Sequence, residues 1–344
     1  MWKRCFCVFY NLLKIFSGYI FSLIFHRTIH WGHPISISIE PTNKCNLKCP
    51  ECPTGQHGLT RSSGSIDIER FKIYVDQAGK KLLYLILYFQ GEPYLNRLLF
   101  DMISYAKSKK IYVWSSTNGH YLTEENIRKT IESGLDNLVI SLDGTNQEAY
   151  ENYRVGGDYE TVVQGIRDFI RIRKEMGIRH PRLEIQFLVL KSNQHQIKEI
   201  KKLGNSLGVD RTVLKTAQFY DFEQGNPLMP DGGQWSRYRK KGTKAGKHGG
   251  MKVRSHQSQI SSHQYIIKNK LRNRCFRMWS GCVITWDGKV VPCCFDKDAV
   301  HTMGDMNEQS FDKIWRGEKY REFRKRILKN RKSIEICRNC TQRW

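Results

Sequence analysis

The sequence predicts an α/β fold with a parallel sheet and helices outside it, open or curled towards a barrel. Three observations point there. Short β-rich runs alternate with helical runs six times between Ile35 and about Thr216. Gly79, Gly134, Gly177 and Gly208 each follow a helical run, where a left-handed C-cap is expected. The 344 residues also suffice for one large domain and a smaller appendage.

The strands expected are Ile35–Glu40, Leu82–Gln90, Ile111–Thr117, Asp136–Asp143, Leu183–Leu190 and Asp210–Thr216. Between them the pattern predicts helices near Asp67–Gly79, Asn96–Lys109, Thr123–Ser133, Tyr159–Met176 and Gln194–Leu207. In such a sheet, ligands belong at the strand C-terminal ends and in the loops that follow. From Gly232 to Trp286 there is no acidic residue, but there are thirteen Lys and Arg, with pieces such as Lys244–Lys252 and Ser255–Ser262. That stretch is expected to be a basic, partly flexible linker with a solvated surface. Asp287-Gly288, flanked by Val283–Trp286 and Lys289–Val291, signals a hairpin. Ser310–Leu328 has a helical pattern, and Cys337 and Cys340 follow it. The expected units are 1–34, an N-terminal apolar helix; 35–220, the core; 221–274, the basic linker; and 275–344, a small tail domain.

At the N-terminal end, Lys3 and Arg4 precede a greasy stretch, Cys5 to Phe25. No small-residue cleavage site follows it, and Lys14 interrupts it, so a signal peptide is disfavoured. A membrane span needs ~20 apolar residues, which makes a span borderline. On a helix, Asn11, Lys14, Gly18 and Ser22 form a narrow polar stripe against Phe9, Leu12, Phe16, Ile20, Leu23 and Ile24. The pattern suits a helix packed on the protein or lying in a bilayer interface, giving peripheral membrane contact through residues 5–25.

Forty per cent hydrophobic and 26% charged residues exclude wholesale disorder. The net charge of +24 favours anionic partners: phosphorylated substrates, nucleic acid or an acidic membrane. Eleven cysteines are an odd count in a chain too long for a stapled mini-domain. Their short spacings suit metal chelation by reduced thiolates, and hence a cytoplasmic location.

The strongest local signal is Cys45-Asn-Leu-Lys-Cys49-Pro-Glu-Cys52, directly after the first strand. Three thiolates so close can hold three irons of a four-iron cluster, leaving the fourth iron open for an exogenous ligand. An open metal position signifies chemistry; a closed one signifies structure. A zinc site completed elsewhere, for instance by His57, is the alternative.

This CxxxCxxC loop resembles the radical S-adenosylmethionine (radical SAM) superfamily. The resemblance implies that Cys45, Cys49 and Cys52 carry a catalytic 4Fe-4S cluster whose open iron binds the amino and carboxylate groups of S-adenosylmethionine. One-electron reduction would then give a 5′-deoxyadenosyl radical that abstracts hydrogen from substrate. Position 51, usually aromatic in the family, is Glu51 here. Gln90-Gly91-Glu92-Pro93 is similar to the family's GGEP motif, with Glu92 offered to the methionine ammonium. Asn118 of Thr117-Asn118-Gly119, and Ser141 and Asp143 of Ser141-Leu-Asp143-Gly144, end the third and fourth strands as further cofactor contacts. Arg154 resembles an arginine that pairs with the cofactor carboxylate, a role bidentate geometry favours. His120 is placed to face the cofactor; His26, His30 and His33 are taken as surface or packing residues. The resemblance covers roughly residues 35 to 216.

Gly288-Lys-Val-Val-Pro-Cys293 and the closing Cys337-Arg-Asn-Cys340 resemble the SPASM/Twitch auxiliary-cluster domain of the same superfamily. Cys275, Cys293, Cys337 and Cys340 would then ligate one closed 4Fe-4S cluster, with Cys282 and Cys294 spare. Four cysteines alone leave zinc as an alternative. The expected architecture is therefore a partial (β/α)6 TIM-like barrel followed by a small α+β iron–sulfur cluster-binding domain. The expected activity is oxidoreductase-like: redox modification of a peptide, protein or sugar-like substrate, fed by an electron donor such as flavodoxin or ferredoxin. Nucleic acid is not expected as a partner. The rival reading is a zinc- or cluster-stabilised nucleic-acid-binding protein without catalytic activity.

Overall fold

The computed structural model describes residues 2–242 and 264–341. Six strands, β1 (Ser36–Ile39), β2 (Tyr84–Leu87), β3 (Tyr112–Thr117), β4 (Asn137–Ser141), β5 (Arg182–Val189) and β6 (Arg211–Thr216), pair in parallel in sequence order. They alternate with α2 (Ile68–Ala78), α3 (Leu99–Ser108), α4 (Glu124–Glu132), α5 (Gln147–Glu151), α6 (Tyr159–Glu175) and α7 (Ile197–Leu207). This is the expected α/β arrangement. The helices follow from their ends: Asp67, Thr123 and Asp158 each accept a backbone N–H three residues on, capping α2, α4 and α6. Gly134, Gly177 and Gly208 have φ of 78°, 66° and 76°, as their places after helices predict. Gly79 does not: its φ is −81°, and it opens a short 3-10 turn instead.

The apolar core lies between the outer face of the sheet and these helices, as Leu85, Leu87, Val113, Leu138, Ile140, Ile185 and Phe187 are all buried there. The alternate strand residues face the inside of the curl and are more polar, Trp114, Glu184 and Gln186 among them.

The tail is not a separate layer. β9 (Gly281–Ile284) pairs in parallel with β1, and the Asp287-Gly288 hairpin carries the sheet on through β10 (Lys289–Val291) to β11 (Gly304–Asp305). The nine strands form one sheet. Gly288 has φ 94°, and a Cβ there would lie 2.5 Å from the Tyr74 hydroxyl, so the turn needs glycine. The helical stretch expected over Ser310–Leu328 is broken at Gly317 into α9 (Phe311–Arg316) and α10 (Glu318–Asn330). Gly317 takes an extended ψ of 168°, with its N–H bonded to Ile314 O.

Lys244–Lys252 and Ser255–Ser262 lie outside the described residues. The flanks of the basic stretch are ordered: β7 (Tyr238–Lys240) pairs antiparallel with β8 (Tyr265–Ile267). Tyr238 ties this hairpin to the segment after β6 and to the closing cysteine pair, because its hydroxyl accepts the Phe219 N–H and donates to Asn339.

At the N-terminal end, α1 (Trp2–Phe25) is a single helix lying against α8 (Arg277–Ser280). Part of its polar stripe faces inward: Asn11, Gly18 and Ser22 are buried beside Val8, Ile15 and Tyr19.

Candidate active site and auxiliary cluster pocket

The loop after β1 carries Cys45, Cys49 and Cys52 at the C-terminal end of the sheet. It is fixed from below by a buried ion pair that sequence reasoning missed. Glu40, the residue after β1, holds Arg61 by two bonds of 2.6 Å and also accepts the N–H groups of Gln90 and Trp286. An acid directly after Ser-Ile-Ser-Ile was the available signal. Burial pushes the Glu40 carboxyl up, against the pull of Arg61. Gly91, at φ 78°, lets β2 touch this loop; a Cβ there would sit 2.6 Å from Thr42 O and 2.7 Å from Lys44 O. Gly55 is equally constrained, since a Cβ would lie 2.7 Å from the Cys49 nitrogen.

The predicted cofactor-contacting residues come together around this loop. Arg154 donates from Nε to Asp143 at 2.6 Å, and its Nη1 lies 3.9 Å from Cys49 Sγ. Asn118 Nδ2 lies 2.7 Å from Asn46 Oδ1 and 4.0 Å from Cys45 Sγ. Glu92 is wholly buried and accepts the N–H groups of Tyr94 and Asn118, at 3.2 and 2.6 Å. Burial raises its carboxyl to about 7, those hydrogen bonds opposing. Ser141 is buried at the end of β4. Glu51 bonds Asn226 at 2.8 Å, tying the cysteine loop to the segment after β6. His120 is occupied structurally: its Nε2 accepts the Asp158 N–H at 2.8 Å and its Nδ1 lies 3.1 Å from Asn118 Oδ1. His57 is exposed.

Cys275, Cys293, Cys337 and Cys340 line one cavity with Arg277 and Arg331. Cys282 is buried elsewhere, beside Tyr320 and Arg324, and does not line it. Cys294 does not line it either; with Arg277 and Glu184 it lies within electrostatic reach of Tyr88, at the end of β2. Arg331 reaches Cys340 Sγ from Nη2 at 3.2 Å and Arg274 O from Nη1 at 2.7 Å. The Nε atoms of Arg274, Arg277 and Arg331 are buried with no hydrogen-bond partner among the described residues.

Both sets of thiols suit clusters. In the loop, N–H donors from Leu47, Asn118 and Arg154 approach the sulfurs of Cys45 and Cys49. In the tail, orphaned cationic donors surround four thiols, as a thiolate-ligated and therefore anionic cluster requires. Cys45, Cys49 and Cys52 would hold the first cluster, and Cys275, Cys293, Cys337 and Cys340 the second. Burial raises the Cys45 and Cys337 thiols to about 11, so cluster assembly must displace their protons.

Inside the curl, at the opposite end of the strands, a cavity of about 350 Å³ is lined by Tyr84, Tyr112, Trp114, Asn137, Glu184 and Arg211 among others. Trp114 Nε1 and Asn137 Nδ2 are buried donors there without partners among the described residues.

A curled parallel sheet with a three-thiol loop at its strand ends and a four-thiol pocket behind defines an iron–sulfur redox enzyme. Residues 39–204 match the family model of the radical SAM superfamily, and residues 275–341 match that of the SPASM iron–sulfur cluster-binding domain. The chain belongs to the radical SAM superfamily and carries its SPASM domain. It is an enzyme that uses S-adenosylmethionine, a 4Fe-4S cluster and auxiliary iron–sulfur chemistry.

Among its relatives is a tungsten-containing aldehyde ferredoxin oxidoreductase cofactor-modifying protein of Pyrococcus furiosus, 25% identical over 326 residues, covering 89% of this chain and 86% of that protein. An AdoMet-dependent heme synthase of Nitratidesulfovibrio vulgaris is 24% identical over 327 residues, covering 87% and 84%. The fold is shared with Streptococcus suis SuiB, solved bound to precursor peptide SuiA, with a TM-score of 0.59 and 15% identity over 85% of this chain and 67% of that one.

Proposed function

We propose that this chain catalyses a redox modification begun by hydrogen abstraction from a peptide, protein or sugar-like substrate, completed with the help of the auxiliary cluster. The cluster held by Cys45, Cys49 and Cys52 and the S-adenosylmethionine bound to it would supply a 5′-deoxyadenosyl radical on one-electron reduction. The chain's own residues bind and orient. Arg154, held by Asp143, would pair with the methionine carboxylate, and Glu92 and the Gly91 backbone would hold its ammonium. Asn118 and Ser141 bound the same end of the sheet. The observation that carries this reading is the three-thiol loop with Arg154 and Asn118 directed at its sulfurs.

The second cluster would be held by Cys275, Cys293, Cys337 and Cys340, with Cys282 and Cys294 spare. A cytoplasmic donor such as flavodoxin or ferredoxin would deliver the electron. The same reading keeps the chain in the cytoplasm, with residues 5–25 available for peripheral membrane contact.

The test is anaerobic reconstitution followed by dithionite and S-adenosylmethionine. About eight irons per chain, two four-iron clusters, and release of 5′-deoxyadenosine are expected. Colourless zinc protein that releases none would overturn the reading.

A further inference from the structure

Helix α1 buries polar residues beside apolar ones and leaves a row of large apolar side chains in water. Its buried face is polar at both ends: Asn11 is 2% exposed and Ser22 is 0%. The Asn11 amide donates to His33 O at 3.0 Å and accepts the His33 N–H at 2.8 Å. The Ser22 hydroxyl accepts the Ile29 N–H at 2.9 Å. Between them Ile15 and Tyr19 are buried, with Tyr19 edge-on to Phe276 and Trp279. Gly32 allows the return segment to lie on the helix, since a Cβ there would be 2.4 Å from Ile15 Cγ1.

The outward face is apolar. Phe6, Phe9, Leu13, Ile20, Ile24 and Phe25 are between 48% and 72% exposed. At 100° per residue Phe6, Phe9, Leu13, Ile20 and Ile24 fall on one side of the helix, opposite Asn11, Ile15 and Ser22, and Phe25 ends it. The helix has 24 residues and so runs about 36 Å. Soluble monomers rarely leave a contiguous apolar strip of that length in water.

Charge decides what covers it. The first acidic residue in the sequence is Glu40, and the whole chain carries +24. Lys14 lies over the Tyr10 ring at the edge of the strip, 4.4 Å from its centroid. Lys81 is close enough to Lys14 and Arg316 for their charges to lower its pKa, after burial. The nearby acid, Asp312, is already paired with Arg316 at 3.0 Å. Arg27 is exposed beyond the other end, where Trp31 packs edge-on against Phe21. A second copy would bring two basic rims together; an anionic lipid surface neutralises them.

By length and composition Phe6–Phe25 could also cross a bilayer, and a third of it is buried in the protein. Crossing would strip Asn11 and Ser22 of their partners and place both in hydrocarbon. We infer that α1 docks this chain on an anionic bilayer with its axis in the membrane plane, the Phe9–Leu13–Ile24 face among the lipids and Lys14, Arg27 and Lys81 at the headgroups. This deepens the peripheral contact named above and is independent of the radical chemistry.

The test is co-sedimentation of the reconstituted full chain with phosphatidylcholine vesicles, with and without phosphatidylglycerol. Binding should need the anionic lipid, weaken with salt and yield to alkaline carbonate. The triple variant Phe9→Ser, Leu13→Ser, Ile24→Ser should bind roughly 100-fold more weakly or worse, with unchanged iron content and 5′-deoxyadenosine release. Equal binding by wild type and variant overturns the proposal. So does resistance to carbonate, which would mean a spanning helix. A lipid-free dimer that the triple variant dissociates would assign the face to self-association instead. Because cofactor cleavage is read separately, loss of lipid binding and loss of the enzymatic reading are distinguishable.

Discussion

Arg154 and Asp143 form a buried ion pair, Nε to Oδ2 at 2.6 Å, with the arginine's outer edge 3.9 Å from the Cys49 sulfur. Asp143 has no spare capacity on this side, since its other oxygen accepts the Leu188 N–H at 2.5 Å. The carboxylate therefore aims the guanidinium at the cluster loop while anchoring β4 to β5.

Replacing Arg154 by Lys keeps the charge and loses the planar fork. The lost charge-assisted hydrogen bond should cost about 1.5–3 kcal/mol, or roughly 10- to 100-fold in S-adenosylmethionine affinity. Anaerobic equilibrium dialysis measures it, with iron content as the control. Unchanged affinity would remove Arg154 from the cofactor site.

The two cysteine sets should separate cleanly. Cys337→Ala should lower iron by about four atoms per chain, leave 5′-deoxyadenosine release from dithionite and S-adenosylmethionine largely intact, and end substrate turnover. Cys49→Ala should abolish that release. Cys282→Ala should change neither count nor cleavage, because Cys282 faces Tyr320 and Arg324 rather than the pocket. If Cys337→Ala stops cleavage while its circular dichroism stays native, the assigned division of labour is wrong.

Much of this was legible beforehand because the chemistry is local. Cys45, Cys49 and Cys52 sit within eight residues of one another at a strand end, and the βα alternation fixes which end that is. What escaped was set by distant partners. Glu40 and Arg61 are 21 residues apart, and only the folded loop makes them a pair. The parallel pairing of β9 with β1 joins residues some 245 apart, which no turn signal announces. The polar stripe on α1 was visible, but its inward direction depends on His33 and Ile29 offering backbone partners. Gly79 failed as a left-handed cap because the chain continues into another turn of tighter helix.

Acid should loosen the clamp that joins residues 26–34 to the tail. His30 packs edge-on against Trp315, and burial beside Arg324 and Arg316 lowers its pKa to about 2. Its folded value lies below the unfolded 6.5, so the neutral ring's contribution is complete above pH 6.5 and is lost as pH falls towards 2. Between pH 6.5 and 5.5 the loss is about 1 kcal/mol. Thermal unfolding at the two pH values, with absorbance near 400 nm confirming retained clusters, should show a drop in wild type. His30→Gln should flatten it. An equal drop in both would clear His30.

The Glu40–Arg61 pair offers the sharpest structural test. Both side chains are buried, and Glu40 also orders the Gln90 and Trp286 backbones, so one carboxylate joins the cysteine loop, β2 and the SPASM hairpin. Arg61→Ala leaves that carboxylate buried without its cation, which costs about 3–5 kcal/mol. Glu40→Gln with Arg61→Met removes both charges while keeping volume and a donor–acceptor amide. A buried ion pair is often replaced without loss when both partners go. The double variant should therefore recover most of the stability lost in Arg61→Ala, as read by urea unfolding under anaerobic conditions. Recovery of stability without recovery of iron content would show that the pair also shapes the cluster loop. Failure of the double variant to recover stability would mean that the charge on Glu40 itself is what organises the three segments it touches.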